Sequence, residues 1–290
     1  MELQFETRGL FIASKSPESY PSPRAVLLGA PLDTTVSFRP GSRFAPHAIR
    51  EASYVLETYS PRLDRDLEDV ALIDQGDVIL PLGNVPKSLE TIYAAAYPHL
   101  SAGRFLLTLG GEHLVSLPLI QAAHKVYPDL VLVHLDAHTD LRTSYQDESL
   151  SHATVIYHAT ALLGKGRVFS LGIRSGTKEE FALYGERLYG APYEVYGKLP
   201  EVLNLIEGRP VYLTLDIDVL DPAYAPGTGT PEPDGITTHE LFRSLYWLAS
   251  HGVKVVSADL VEVLPAYDPS GRTSVLAAKI VREMLLGFAR

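Results

Sequence analysis

Short runs of aliphatic residues alternate along this chain with longer segments in which apolar residues recur with helical spacing. Such runs are typical of strands buried on both faces, and the helical spacing is typical of amphipathic helices. The runs predict strands at 25–29, 70–73, 104–109, 130–135, 167–172, 193–196, 211–215 and 253–258. The helical spacing predicts helices at 46–57, 87–101, 115–126, 152–162, 178–187, 198–207, 238–250 and 273–288.

Regular alternation of strands and helices indicates an α/β fold, with a parallel sheet covered by helices on both faces. No low-complexity linker, composition break or internal repeat interrupts the alternation. A chain of 290 residues is long enough for one large domain or two ordinary ones. The unbroken pattern favours a single domain over residues 1–290.

Two of the apolar runs end in clusters of polar side chains, several of them spaced two residues apart. The clusters are Asp136, His138 and Asp140 in VLVHLDAHTD, and Asp216, Asp218 and Asp221 in VYLTLDIDVLD. Residues two apart in an extended segment point to the same side, so the members of each cluster can converge. Acidic residues after an apolar run are most often the start of a loop, where they bond to nearby backbone. That alternative competes for either cluster alone, whereas both clusters together favour a binding site.

Four carboxylates in one crevice repel each other unless they are protonated or a cation neutralises them. A ligand set of carboxylate and imidazole groups suits Mn²⁺ and related divalent ions, and the chain has no cysteine to supply thiolates. The two clusters therefore predict a site for two metal ions.

Two further motifs accompany predicted strands. GGEH, from Gly110 to His113, begins with the two glycines that end the run RFLLTLGG, and Glu262 lies in SADLVEVLP. Open α/β sheets bind ligands outside the carboxyl ends of their strands, so these motifs and the two clusters can meet at one edge. Asp259 lies in the same segment as Glu262, and spacing alone does not choose between them.

His134 lies two residues before Asp136, so its side chain points to the same side of the strand. It is farther from the end of the strand, so we expect it in the core or behind the ligands.

The net charge of −10 argues against nucleic-acid binding and fits a small cationic substrate. The lack of cysteine excludes disulfides and thiol nucleophiles. The segment MELQFETRGLFIASKSPES contains early acidic residues and no sustained apolar core, unlike a secretory signal, and no apolar run is long enough to span a bilayer. We therefore expect a cytoplasmic protein that binds neither nucleic acid nor membranes.

Four motifs together resemble those of a known family. GGEH, DAHTD, TLDIDVLDPAYAPGTGTPEPDG and DLVEVLPAYDPSGRT are similar to motifs of the ureohydrolases, the superfamily of arginases and agmatinases. The similarity extends from PGSRFAPHAIR, at Pro40, to the C-terminal helix. The resemblance implies a three-layer α/β/α sandwich with a parallel eight-stranded sheet, the arginase/deacetylase-like fold. It also implies two Mn²⁺ ions per subunit, hydrolysis of a guanidinium group to urea and an amine, and a homo-oligomer, either trimer or hexamer.

The resemblance further implies a role for each matching residue. One ion would be held by His113, Asp136, Asp140 and Asp216, and the other by Asp136, His138, Asp216 and Asp218. Asp136 and Asp216 would bridge the ions, and Asp140 would also steer the attacking hydroxide. Glu262 resembles the carboxylate that grips the guanidinium group, and His152, in LSHAT, resembles a proton-shuttling histidine. His152 opens a helical segment after Ser151, so a plain surface histidine is the alternative.

The loop between DAHTD and His152 is expected to contact the rest of the substrate. Its sequence, LRTSYQDESLS from Leu141 to Ser151, resembles agmatinases more than arginases, and Asp147 and Glu148 would suit an amine-terminated substrate. We therefore expect agmatine, giving putrescine, or N1-aminopropylagmatine, giving spermidine, in polyamine biosynthesis. Arginase, guanidinobutyrase and formimidoylglutamase activities are alternatives within the superfamily, and a non-catalytic metal-binding subunit is a further alternative.

Overall fold

A mostly parallel sheet forms the centre of the protein in the computed structural model, which describes residues 3–206 and 208–290. In chain order the strands are β1 (Phe5–Glu6), β2 (Ala25–Ala30), β3 (Tyr59–Ser60), β4 (Arg65–Asp66), β5 (Leu72–Val78), β6 (Phe105–Gly110), β7 (Val131–Leu135), β8 (Val168–Leu171), β9 (Tyr189–Ala191), β10 (Val211–Asp216) and β11 (Val255–Val261). The central sheet has the order β1-β5-β2-β6-β11-β10-β7-β8-β9, and β3 and β4 form a separate pair. Eight strands of the central sheet are parallel, which confirms the predicted sheet, and β1 adds an antiparallel edge strand.

Helices connect the strands and cover the sheet. Within residues 3–206 and 208–290 the α-helices are α1 (Ala45–Ser53), α2 (Val85–Ser101), α3 (Ser116–Val126), α4 (Val155–Leu163), α5 (Lys178–Phe181), α6 (Leu199–Ile206), α7 (Thr238–Ser250) and α8 (Arg272–Phe288). Seven of them follow the predicted positions closely. The helix predicted at 178–187 is much shorter, because it ends at Phe181 and the following residues form turns, one of which contains Gly185 with a left-handed φ of 80°.

The strand predicted at 193–196 is wrong, and the eighth parallel strand is β9. Tyr193 has a φ of 62°, which interrupts an extended segment despite the favourable alternation of YEVY. Gly190 at the centre of β9 has the Tyr184 ring against its backbone, and an added Cβ would lie 2.2 Å from that ring. The pairing thus depends on a close contact that the hydrophobic pattern does not reveal.

Two hydrophobic cores lie on opposite faces of the sheet. Ala25 and Leu27 of β2 join one core, and Val26 and Leu28 join the other, as expected for alternating side chains. The first core is covered by α1, α6, α7 and α8, and the second by α2, α3 and α4. This is the predicted three-layer arrangement, because a parallel sheet must bury both faces. Among residues 3–206 and 208–290, no helix has the length and apolar character needed to cross a bilayer.

Candidate metal centre

Four neighbouring strands carry the predicted site residues to one edge of the sheet. β6, β11, β10 and β7 are adjacent in that order, and their carboxyl ends point the same way because they are parallel. His113 follows β6, Asp136 follows β7, Asp216 ends β10 and Glu262 follows β11. The topology therefore brings together residues that are up to 149 positions apart in the sequence.

The first cluster surrounds the imidazole of His113. Its Nδ1 lies 3.0 Å from Asp136 Oδ2, 3.1 Å from Asp140 Oδ2 and 3.5 Å from Asp216 Oδ2. All four side chains are buried. These are the residues that the motif resemblance assigns to one metal ion, and in the structure the three carboxylates lie around His113 Nδ1.

The second cluster surrounds the imidazole of His138. Its Nδ1 lies 3.0 Å from Asp218 Oδ2 and 3.6 Å from Asp136 Oδ1. Asp218 is held in place by its other oxygen, which accepts the Ala137 backbone N–H at 3.1 Å. Asp136 therefore faces a different histidine through each of its oxygens. The two clusters share this carboxylate and form a site suited to two metal ions.

A chain of hydrogen bonds behind His113 indicates which ring nitrogen carries the proton. The Thr214 hydroxyl donates to Asp259 Oδ1 at 2.6 Å, so its oxygen is left to accept from His113 Nε2 at 2.9 Å. Nδ1 of a neutral His113 then presents a lone pair to the carboxylates, and within the described residues this buried atom has no hydrogen-bond partner. A lone pair facing carboxylate oxygens is repulsive unless a cation, either a proton or a metal ion, lies between them. The residues present therefore fit a metal ion.

Replacing Asp259 with Asn should disturb this proton arrangement and weaken metal binding. An Asn amide that donates to Thr214 leaves the Thr214 hydroxyl to donate to His113 Nε2, which moves the ring proton to Nδ1. Loss of such an orienting partner typically lowers metal affinity by about 10- to 100-fold. We expect a loss of this size for D259N in calorimetric titration of the metal-free protein with Mn²⁺.

The matched control is Tyr212→Phe. Tyr212 Oη donates to the other oxygen of Asp259 at 2.6 Å, so this variant removes a hydrogen bond from Asp259 but leaves the bond to Thr214. We expect Y212F to bind Mn²⁺ nearly as tightly as the wild type. An equal loss of affinity in both variants would contradict the proton argument.

The two carboxylates to which the family resemblance gives a bridging role lie in opposite electrostatic environments. Burial tends to raise the pKa of Asp136, but the neighbouring His134 holds that pKa well below its usual value. Burial, together with the charges of Asp218 and Asp136, raises the pKa of Asp216 well above its usual value. A cation beside Asp216 would stabilise its ionised form, so the acidic side of the site favours a positive ion.

His134 lies behind Asp136. Its Nε2 is 2.8 Å from Asp136 Oδ2, and its Nδ1 is 3.0 Å from Ser170 Oγ. Donor atoms of His113, His134, Asp136 and Asp140 all lie within 4.8 Å of one another, so His134 could also contribute to the first cluster. Because both ring nitrogens already have protein partners, we retain the predicted position of His134 in the core or behind the ligands.

Two residues of the site have a left-handed backbone. Asp140 has a φ of 50° and Glu262 a φ of 61°, a conformation that is uncommon for residues other than glycine and often occurs at functional sites. Glu262 Oε1 accepts the His113 backbone N–H at 2.8 Å, and burial raises the pKa of Glu262 to about 8. Asp259 lies within β11, and its oxygens are occupied by the hydrogen bonds described above. The structure therefore places Glu262, and not Asp259, on the wall of a cavity beside the metal centre.

A cavity of about 270 Å³ opens onto the two clusters. Its walls include His152, Glu262, Ser37, Tyr145 and Thr230. His152 thus faces the cavity, whereas the alternative reading placed it on the outer surface. Burial lowers the pKa of His152, so a neutral imidazole is favoured at neutral pH.

The loop from Leu141 to Ser151 contributes differently from what the sequence suggests. Asp147 and Glu148 are exposed and do not line this cavity, whereas Arg142 of the same loop does. The carboxylate that faces Arg142 is Glu180, whose Oε1 lies 3.9 Å from Arg142 Nε. Sequence reasoning missed Glu180, because the capping pattern T-x-x-E that follows β8 indicates only that Glu180 caps α5, where its Oε2 accepts the Thr177 N–H.

Asp221, the last member of the second acidic run, has a structural role. Its Oδ1 accepts the Ala223 N–H at 2.8 Å, and its Oδ2 accepts the N–H groups of Asp234 at 2.9 Å and Gly235 at 3.2 Å. Asp221 therefore shapes the glycine- and proline-rich loop beside the site. For this residue the loop interpretation is the correct one.

Comparison with known proteins agrees with this geometry. The family model described as the arginase family matches residues 23–287. The chain is 52% identical over 280 residues to an agmatinase of Halalkalibacterium halodurans, with 96% of each chain covered. It is 53% identical over 282 residues to an agmatinase of Bacillus subtilis, with 97% of each chain covered. The crystal structure of the agmatine ureohydrolase of Thermoplasma volcanium superposes with a TM-score of 0.87 and 32% identity, covering 97% of this chain and 94% of that one. Because the sequence match and the structural match both extend over nearly the whole chain, this protein belongs to the arginase family of hydrolases.

Proposed function

We propose that this protein hydrolyses agmatine to urea and putrescine with the help of two Mn²⁺ ions. The observation that carries the proposal is Asp136, which faces His113 through one oxygen and His138 through the other, beside a cavity that also contains Glu262. Similarity to agmatinases over nearly the whole chain supports agmatine as the substrate.

The chemistry requires a strong nucleophile. A guanidinium carbon is a poor electrophile because its positive charge is delocalised over three nitrogens. Forming hydroxide at pH 7 from water with a pKa of ~15.7 costs about 12 kcal/mol, whereas one general base supplies only about 3–5 kcal/mol. When bound, the metal ions supply hydroxide near neutral pH by lowering the pKa of water to about 7.

The ions would be held by the residues that the sequence assigns to them. His113, Asp136, Asp140 and Asp216 would hold one ion, and Asp136, His138, Asp216 and Asp218 the other. The lone pair of His113 Nδ1 and the shared position of Asp136 support this division. The donor set of imidazole and carboxylate, without thiolate, supports Mn²⁺.

Other residues of the chain would bind the substrate and move protons. Glu262 would accept hydrogen bonds from the guanidinium group, whose positive charge stabilises the ionised carboxylate. Asp140 would orient the attacking nucleophile. His152 would take up a proton from the attacking water and pass it to the departing nitrogen, so that the C–N bond breaks and putrescine leaves.

Two charged residues of the cavity wall, Arg142 and Glu180, affect which guanidine substrate is preferred. The Glu180 carboxylate would stabilise the ammonium group of agmatine, whereas Arg142 would stabilise a carboxylate at the same place. Arg142 is 42% exposed at its side chain and Glu180 only 8%, so the charge of Glu180 is the less screened by water. Agmatine is therefore the first candidate, and the presence of Arg142 makes a guanidino acid the second.

A substrate panel tests this preference. We expect kcat/KM for agmatine to exceed that for 4-guanidinobutyrate by at least about 100-fold, because the second substrate places a negative charge beside Glu180. Glu180→Gln should reduce this ratio by about tenfold or more, and the neighbouring exposed Glu179→Gln is the matched control. Urea release from agmatine, aminopropylagmatine, arginine and 4-guanidinobutyrate is the measurement. A preference for 4-guanidinobutyrate would favour the second candidate.

Several broader features complete the proposal. We propose a cytoplasmic homo-oligomer, either trimer or hexamer, in which each chain forms one domain. The motif resemblance supports the assembly, and the unbroken alternation of strands and helices supports the single domain. Putrescine as the product would place the enzyme in polyamine biosynthesis, and N1-aminopropylagmatine with spermidine as product is the variant that the substrate panel separates.

A further inference from the structure

One loop, residues 31–41, contacts both ring nitrogens of His152. Thr35 Oγ1 lies 3.3 Å from His152 Nδ1, and Ser37 Oγ lies 3.2 Å from His152 Nε2. Thr35 Oγ1 also accepts the backbone N–H of His152 at 3.0 Å. The loop thus holds both the backbone and the side chain of His152, which is 117 residues away from Thr35 in the sequence.

A buried carboxylate fixes the loop in this position. Glu112 Oε2 accepts the Thr35 backbone N–H at 2.7 Å, and the Glu112 backbone N–H donates to Leu32 O at 2.7 Å. Gly111 N–H donates to Ala30 O at 3.0 Å, and a Cβ on Gly111 would lie 1.9 Å from Leu32 O. The loop therefore packs directly against the GGEH segment, and only glycine at position 111 permits this approach.

The hydrogen bonds of Thr35 can set the tautomer of His152. One lone pair of Oγ1 is used by the His152 backbone N–H, and the hydroxyl proton is free to point at His152 Nδ1. An Nδ1 that accepts this bond leaves the proton of the neutral ring on Nε2. Nε2 is the nitrogen beside Ser37, whose side chain also lines the cavity.

We propose that Thr35, anchored by Glu112, is a positioning residue that fixes the orientation and tautomer of the His152 imidazole. This inference rests on the proposed function, in which His152 moves a proton during agmatine hydrolysis. Thr35 itself touches neither substrate nor metal ligands in this account. It acts only through His152.

The test compares three variants in steady-state urea release from agmatine. Thr35→Val keeps the side-chain shape but removes the hydroxyl, and we expect kcat to fall by about 10- to 100-fold, because a misplaced catalytic group costs rate at this scale. Thr35→Ser keeps the hydroxyl and should stay within about threefold of the wild type. Thr34→Val makes the same exchange at the adjacent exposed residue and is the matched control. KM should change much less than kcat, and circular dichroism should show that all variants are folded at the assay temperature.

A double-mutant cycle separates positioning from a general structural effect. If Thr35 acts through His152, T35V should change kcat by less than about twofold in the background of His152→Asn, because coupled residues do not have additive effects. An equal loss of kcat from T35V in both backgrounds, or unchanged kcat in T35V alone, would overturn the inference. Wild-type protein that is inert towards agmatine would instead overturn the proposed function, and this inference with it, before any variant is compared.

Discussion

Removal of divalent metal is expected to lower urea release from agmatine by at least about 10³-fold, and Mn²⁺ is expected to restore it. The reason is the gap between the cost of hydroxide at neutral pH and what one protein base can supply. His113 Nδ1 and His138 Nδ1 both face carboxylates across short distances, so the chain provides donor atoms for a cation at this place. The measurement is activity after dialysis against a chelator and after addition of Mn²⁺, with metal content determined by mass spectrometry.

Substitution of a proposed metal ligand tests the metal dependence without a chelator. Asp136→Asn removes the negative charge that both clusters share, so we expect it to lower the Mn²⁺ content at both positions and to reduce activity as strongly as chelation does. Asp147→Asn, on the exposed loop beside the cavity, is the matched control and should retain both metal and activity. Circular dichroism should show that the metal-free and D136N proteins remain folded. Full turnover by a folded, metal-free sample would exclude the metal-dependent mechanism.

The convergence of the site could be predicted because it follows from the geometry of parallel strands. Asp136 and Asp216 come directly at the ends of aliphatic runs, and the carboxyl ends of parallel strands share one edge of a sheet. The spacing of two residues also predicted that His138 and Asp218 lie near the same point. For Asp218 the reason is different, because it lies in the 3-10 helix Ile217–Val219 and its backbone N–H donates to Asp216 Oδ1 at 2.8 Å, so a tight turn and not strand alternation brings it there.

The order of the strands could not be predicted in the same way. β10 and β11 follow β9 in the chain but lie between β6 and β7 in the sheet, and this insertion is what brings Glu262 beside His113. Hydrophobic pattern indicates that a strand is buried, but it does not specify its neighbours. For that step the family motifs were the more informative signal.

Contacts between distant loops were also beyond the sequence pattern. The positive φ of Asp140 and Glu262 has no local signature, because neither is glycine, and tertiary contacts must stabilise it. The position of Glu180 at the cavity, and the exclusion of Asp147, depend on how the chain folds after β7 and β8. The composition of the loop predicted acidic residues near the substrate, but Asp147 and Glu148 do not line the cavity, whereas Glu180 does.

Glu262→Gln is expected to have the second large effect, with kcat/KM for agmatine falling by about 10²- to 10⁴-fold, since a charge-assisted contact to the guanidinium group is lost. The exchange is nearly isosteric, and a Gln Oε1 can still accept the His113 backbone N–H, which Glu262 Oε1 accepts at 2.8 Å in the present structure. The loop that carries the His113 ligand should therefore keep its position, and the bound Mn²⁺ should stay unchanged.

The matched control for E262Q is Glu90→Gln, which makes the same exchange at an exposed position of α2. Among the described residues, Glu90 pairs with Lys87 at the surface, and E90Q should leave kcat/KM unchanged. If E262Q loses Mn²⁺ as well as activity, Glu262 supports the metal centre through His113 and does not act by binding substrate. If E262Q retains Mn²⁺ and loses activity mainly through a higher KM, Glu262 binds the guanidinium equally in the ground state and the transition state. A fall in kcat at constant Mn²⁺ content would show that the contact strengthens as the guanidinium carbon becomes tetrahedral, which is the result we expect.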